Sequence, residues 1–101
     1  MNDFSMKRGD GQRIRTDRPK LYRVVLLNDE FTPQDFVLTL LRQEFRLDGS
    51  QAGLVLATAH EKGACMVSVY PRDVAETKAE RGIDAARRAG FPLHFTVEPE
   101  E

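Results

Sequence analysis

Residues 26 to 36, Leu-Leu-Asn-Asp-Glu-Phe-Thr-Pro-Gln-Asp-Phe, constrain the fold more than any other segment: an apolar strand runs directly into three polar residues and then a helix start. Leu21, Tyr22, Val24, Val25, Leu26 and Leu27 read as a mostly buried strand. Thr32, Pro33 and Asp35 carry the N-cap, N1 and N3 signals of a helix. Asn28, Asp29 and Glu30 are therefore held at a rigid junction between two core elements.

The rest of the chain follows from that start. Phe36, Val37, Leu40, Leu41 and Phe45 recur at helical spacing over residues 33 to 46 and leave Arg42, Gln43 and Arg46 to solvent. Leu47-Asp48-Gly49-Ser50 breaks the pattern and caps a second helix, about 50 to 62, that turns Ala52, Val55, Leu56 and Ala59 inward and stops at Gly63. Residues 64 to 70 read as a strand with Cys65, Val67 and Val69 on one face. A third helix, 72 to 89, has Val74, Lys78, Ile83 and Ala86 on its inner edge, and Gly82 within it marks a close approach of another backbone. Leu93, Phe95 and Val97 alternate with His94 and Thr96 in a closing strand that Pro92 can only begin and Pro99 only end. The predicted fold is α+β: a small two-layer domain in the order β-α-α-β-α-β, with a three-stranded antiparallel sheet and three helices on one face.

Charge divides the chain unevenly. Residues 1–20 carry Lys7, Arg8, Arg13, Arg15, Arg18 and Lys20 against Asp3, Asp10 and Asp17, with few large apolar side chains, and are expected to form a flexible, disordered N-terminal extension. Residues 21–101 hold nine Lys/Arg and thirteen Asp/Glu and form the core domain, and this acidic body argues against nucleic-acid binding. The first twenty residues lack the apolar run of ~7 that a secretory signal needs. No stretch approaches the ~18 apolar residues of a membrane helix. With Cys65 as the single cysteine, no intramolecular disulfide can form, which fits a reducing cytoplasm.

A carboxamide and two carboxylates on one short turn offer acceptors to a group rich in N–H donors, such as a free ammonium. The same residues suit an Asx-turn in which Asn28 and Asp29 bond their own backbone, and on this segment alone the turn is the favoured reading. His60, near the end of helix two, either caps or packs there or faces Asn28 and Glu30 and accepts from a bound amine. Catalytic patterns are missing: there is no Cys-x-x-Cys or His-Glu-x-x-His spacing, and His60, Cys65 and His94 make no metal-ligand set. Cys65 alternates into the core, and Arg8-Gly9-Asp10-Gly11 has no strand before it and no helix after it to make a phosphate loop. Neither an enzyme nor a cofactor or metal is expected.

Three spaced motifs, Leu27-Asn28-Asp29-Glu30-Phe31-Thr32-Pro33, Ala59-His60-Glu61-Lys62-Gly63 and Val74-Ala75-Glu76-Thr77-Lys78, together resemble the ClpS adaptor family over residues 21 to 98. The resemblance implies an N-recognin: a non-enzymatic, monomeric cytoplasmic adaptor that captures proteins beginning with Phe, Tyr, Trp or Leu and delivers them to a ClpA-like AAA+ unfoldase, with no role for nucleic acid or membrane. It assigns the substrate's α-amino group to Asn28, His60 and one or both of Asp29 and Glu30, where the family usually has aspartate at the second position. Thr32, Gln34, Val37, Leu56, Ala59 and Leu93 would line the pocket for the first side chain. Family members often carry methionine at the positions of Gln34 and Leu56 and a larger aliphatic at Ala59. Asp73 and Lys78 would face the N-terminal domain of the unfoldase, and residues 1–20 are similar to the family's mobile extension. A different reading is a non-degradative interaction module whose acidic junction is only a turn.

Overall fold

A computed structural model describes residues 19–100; the expected flexible extension falls, for residues 1–18, outside them. Strand β1 (Leu21–Leu27) lies at the centre of a sheet ordered β2-β1-β3, with β2 (Ala64–Pro71) and β3 (His94–Pro99) both antiparallel to it. Its central position explains its composition: Val24, Val25 and Leu26 are all buried. Helices α1 (Gln34–Glu44), α2 (Gly49–Lys62) and α3 (Arg72–Ala89) complete the predicted order. They cover the face that presents Val24, Leu26, Val67 and Phe95, and the core gathers between the layers.

Local signals set most boundaries. Asp48 and Gln51 form a reciprocal capping box at the start of α2, satisfying backbone donors that would otherwise have no partner. Gly63 closes the helix at φ 92°, a conformation that side chains with a Cβ resist. The start of α1 differs from expectation. Pro33, not Thr32, is the N-cap, and no side chain caps it. The Thr32 hydroxyl donates to Asp29 instead, so the turn takes the oxygen that the helix signal assigned to the cap.

Two alternations also change. The β1/β2 register shifts between Val24 and Val25: Val24 pairs with Ser68 and Val25 with Met66, leaving Val67 as the extra residue of a bulge. Cys65 and Val67 still pack with the core, but the bulge inverts the pattern beyond them, so Tyr70 rather than Val69 reaches it. On α3 the fully inward positions are Ala75, Ala79, Gly82 and Ala86, while Val74 is exposed and Lys78 only partly covered. The close approach at Gly82 is a ring, not a backbone: a Cβ there would lie 2.7 Å from Phe95 Cε1. Phe95 packs in turn on Phe45, with ring centroids 5.2 Å apart.

Candidate functional site

The end of β1 is tied to the end of α2 through the backbone. Asn28 N–H donates to the Gly63 carbonyl at 3.0 Å, bringing the residues after β1 beside the last turn of α2, where His60 stands. A cleft of about 130 Å³ opens at this junction. Its lining includes Asn28, Asp29, Glu30 and His60, the four residues assigned to the amine. Thr32, Gln34, Val37, Leu56 and Leu93 line it as well. Leu26, Val37 and Leu93 are almost wholly buried and form its floor, whereas Glu30, Gln34 and His60 are exposed at its mouth.

Ala59, expected in the lining, is absent from it: this side chain is 0% exposed and sits in the core behind the α2 wall. Conversely Leu26 and Leu27 line the cleft without having been singled out. Their place immediately before Asn28 in the strand was the available signal.

The Asx-turn is real for Asp29. Its Oδ1 accepts from the backbone N–H groups of Phe31 and Thr32, both at 2.8 Å, and from the Thr32 hydroxyl at 3.0 Å; Oδ2 accepts from that same hydroxyl at 2.9 Å. Partial burial opposes ionisation of this carboxyl, but the Phe31 and Thr32 donors outweigh it and hold the pKa below its ordinary value. Asp29 is thus an anion fixed inside its own turn, with Oδ1 fully used. Glu30, next to it at the mouth, is exposed.

Asp73 and Lys78 lie elsewhere, on α3. They border a separate depression with Val74, Thr77 and Arg81. The Lys78 ammonium donates to the Glu44 carbonyl at 2.8 Å, where α1 ends, and lies 5.6 Å from the centroid of the Tyr70 ring. Among the described residues no group of three or more His, Cys, Asp or Glu is placed to hold a metal ion. None of their helices is long and apolar enough to cross a membrane.

Comparison with known proteins gives a consistent result. The family model described as ATP-dependent Clp protease adaptor protein ClpS matches residues 17–96. The chain is 55% identical over 101 residues to the ATP-dependent Clp protease adapter protein ClpS 2 of Mesorhizobium japonicum, covering 100% of both chains. It is 52% identical to ClpS 1 of Bradyrhizobium diazoefficiens, again over 100% of each. The structure of Agrobacterium tumefaciens ClpS2 bound to L-phenylalaninamide superposes with a TM-score of 0.79 at 51% identity, covering 82% of this chain and 100% of that one. Sequence, fold and comparisons agree, and the chain belongs to the ClpS family of ATP-dependent Clp protease adaptors.

Proposed function

We propose that this protein is an N-recognin: it seats the first residue of a substrate in the cleft between β1, α1 and α2 and delivers the substrate to a Clp AAA+ unfoldase. The observation that carries this reading is the pairing of an apolar floor, Leu26, Val37 and Leu93, with polar side chains at the rim of one cleft. A protein's first residue alone presents an ammonium group and a side chain from the same carbon. L-phenylalaninamide, the ligand of the A. tumefaciens relative, has that chemistry: a free amine, a benzyl group and a blocked carboxyl.

Size agrees with the chemistry. A cleft of about 130 Å³ is close to the ~150 Å³ cavity that admits a benzene ring. Burying the side chain contributes ~1.5 to 3 kcal/mol, and each hydrogen bond to the charged amine contributes a similar ~1.5 to 3 before ordering costs. The result is a complex near ~1 μM or tighter, able to capture and to release.

Within the site, Asn28 Oδ1, the Glu30 carboxylate and a ring nitrogen of His60 receive the ammonium protons, while Asp29 holds the turn in shape and supplies a fixed negative charge beside them. Internal residues lack the ammonium and would leave these acceptors unmatched. Asp73 and Lys78, on a different surface, contact the unfoldase's N-terminal domain, so that capture and delivery proceed together. The protein acts without catalysis, in the cytoplasm and as a monomer. Residues 1–20 serve delivery.

Fluorescence anisotropy with a peptide beginning in free Phe and its N-acetylated twin tests the reading. Binding of the free peptide and loss of at least ~tenfold in affinity on acetylation are expected. Equal binding of the two overturns it.

A further inference from the structure

The most exposed large hydrophobic among the described residues is Phe31, at 79%. It occupies the middle of the junction, between Glu30 and Thr32, both of which line the cleft. An exposed ring on a loose loop would carry little meaning. Here the backbone on which it stands is clamped: the Phe31 and Thr32 N–H groups both donate to Asp29 Oδ1 at 2.8 Å, and Pro33 and α1 follow at once. The ring is carried by a rigid turn while serving neither the core nor the floor of the cleft.

Resting on the capture reading above, we propose that Phe31 is a specificity-determining residue for the second position of the substrate. With the first side chain in the cleft and the ammonium at its rim, the rest of the substrate leaves through the mouth, where Glu30 is exposed beside Phe31. The second side chain then emerges next to this turn, and Phe31 offers an apolar platform on which Leu, Met or an aromatic residue loses water while glycine gains nothing. The turn holds the platform in place in the free protein, so little ordering cost falls on binding.

The substitution Phe31→Ala tests this cleanly, because Asp29 grips the backbone N–H of residue 31 and not its side chain. Anisotropy titrations use two peptides alike except at residue two, Phe-Leu and Phe-Gly, with the full chain and its Phe31→Ala variant. Wild type should bind Phe-Leu roughly fivefold tighter than Phe-Gly. Phe31→Ala should bring the two together by weakening Phe-Leu alone, and Phe31→Leu should restore part of the difference. Equal affinity of wild type for both peptides, or a ratio unchanged by Phe31→Ala, overturns the proposal while leaving the capture reading intact. The proposal fails equally if Phe31→Ala instead weakens unfoldase binding with peptide preference unaltered. Wild type that binds neither peptide refutes the capture reading itself, and this assignment with it.

Discussion

Two glycines inside helices should respond to alanine with opposite signs. Gly53 in α2 and Gly82 in α3 both give up the helix propensity that Ala would add, roughly 1 kcal/mol each. At Gly53 a new Cβ meets nothing within 4 Å, so Gly53→Ala should collect most of that gain. At Gly82 the Cβ would stand 2.7 Å from Phe95 Cε1 and 3.0 Å from Cδ1. The ring cannot swing aside easily, since Phe95 is 2% exposed and packs against Phe45. Forcing a methyl into such a core costs ~1 to 3 kcal/mol, which exceeds the propensity gain over most of that range. The expected outcome is Gly53→Ala more stable by ~0.5 to 1 kcal/mol and Gly82→Ala less stable by ~1 kcal/mol. For a domain of this size each kcal/mol moves Tm by ~4 to 8 °C, well within reach of circular dichroism melts, with urea titrations as a check. If Gly82→Ala matches or exceeds wild-type stability, α3 does not approach Phe95 as closely as the structure has it, and the packing argument fails.

Acid should weaken the fold partly through Asp29. Its folded pKa is depressed, so its stabilising contribution is fully present above the unfolded value of about 3.9 and is lost as pH falls through the folded value. Urea midpoints measured at pH 5 and pH 3 should therefore fall less in Asp29→Asn than in wild type; an identical fall in both would refute the linkage. Aromatic first residues should bind better than Leu, because Gln34 places an amide at the mouth where more apolar cover would favour a smaller side chain. Gln34→Met should improve a Leu-first peptide by about 1 kcal/mol, near fivefold, and an unchanged Leu/Phe ratio in anisotropy titrations would rule out that role. Ala59→Val, by contrast, adds bulk at a fully buried position and should lower stability by ~1 to 3 kcal/mol in melts instead of tuning the cleft. Asp73→Ala should leave peptide affinity intact and impair degradation in a reconstituted unfoldase-protease assay. Undiminished degradation would remove Asp73 from the delivery surface.

The element order, the cap of α2, its glycine stop and the polar junction were legible in the sequence because each rests on residues within a few positions of one another. Asp48 reaches Gln51 within a turn, and Gly63 needs only its own φ to end the helix. That Asn28, Asp29, Glu30 and His60 belong together at one cleft was legible because two short motifs carry them.

What lay hidden depends on partners distant in the chain. Hydropathy favours Val74 and Ile83 for the inner edge of α3, yet small side chains at Ala75, Ala79 and Gly82 admit the sheet, and only the position of Phe95 reveals that need. The β2 bulge is likewise invisible until β1 lies beside it, since a one-residue shift leaves local composition untouched and turns Val69 away from the core. Helical spacing turned both Leu56 and Ala59 inward, and only the packed structure separates them, with Leu56 on the cleft and Ala59 wholly in the core. Thr32 had two acceptable uses for one hydroxyl, and the folded turn chose Asp29. Short-range hydrogen bonding and periodicity thus specified the elements, whereas helix rotation, strand register and the walls of the cleft were decided by side-chain packing between segments that sequence separation keeps apart.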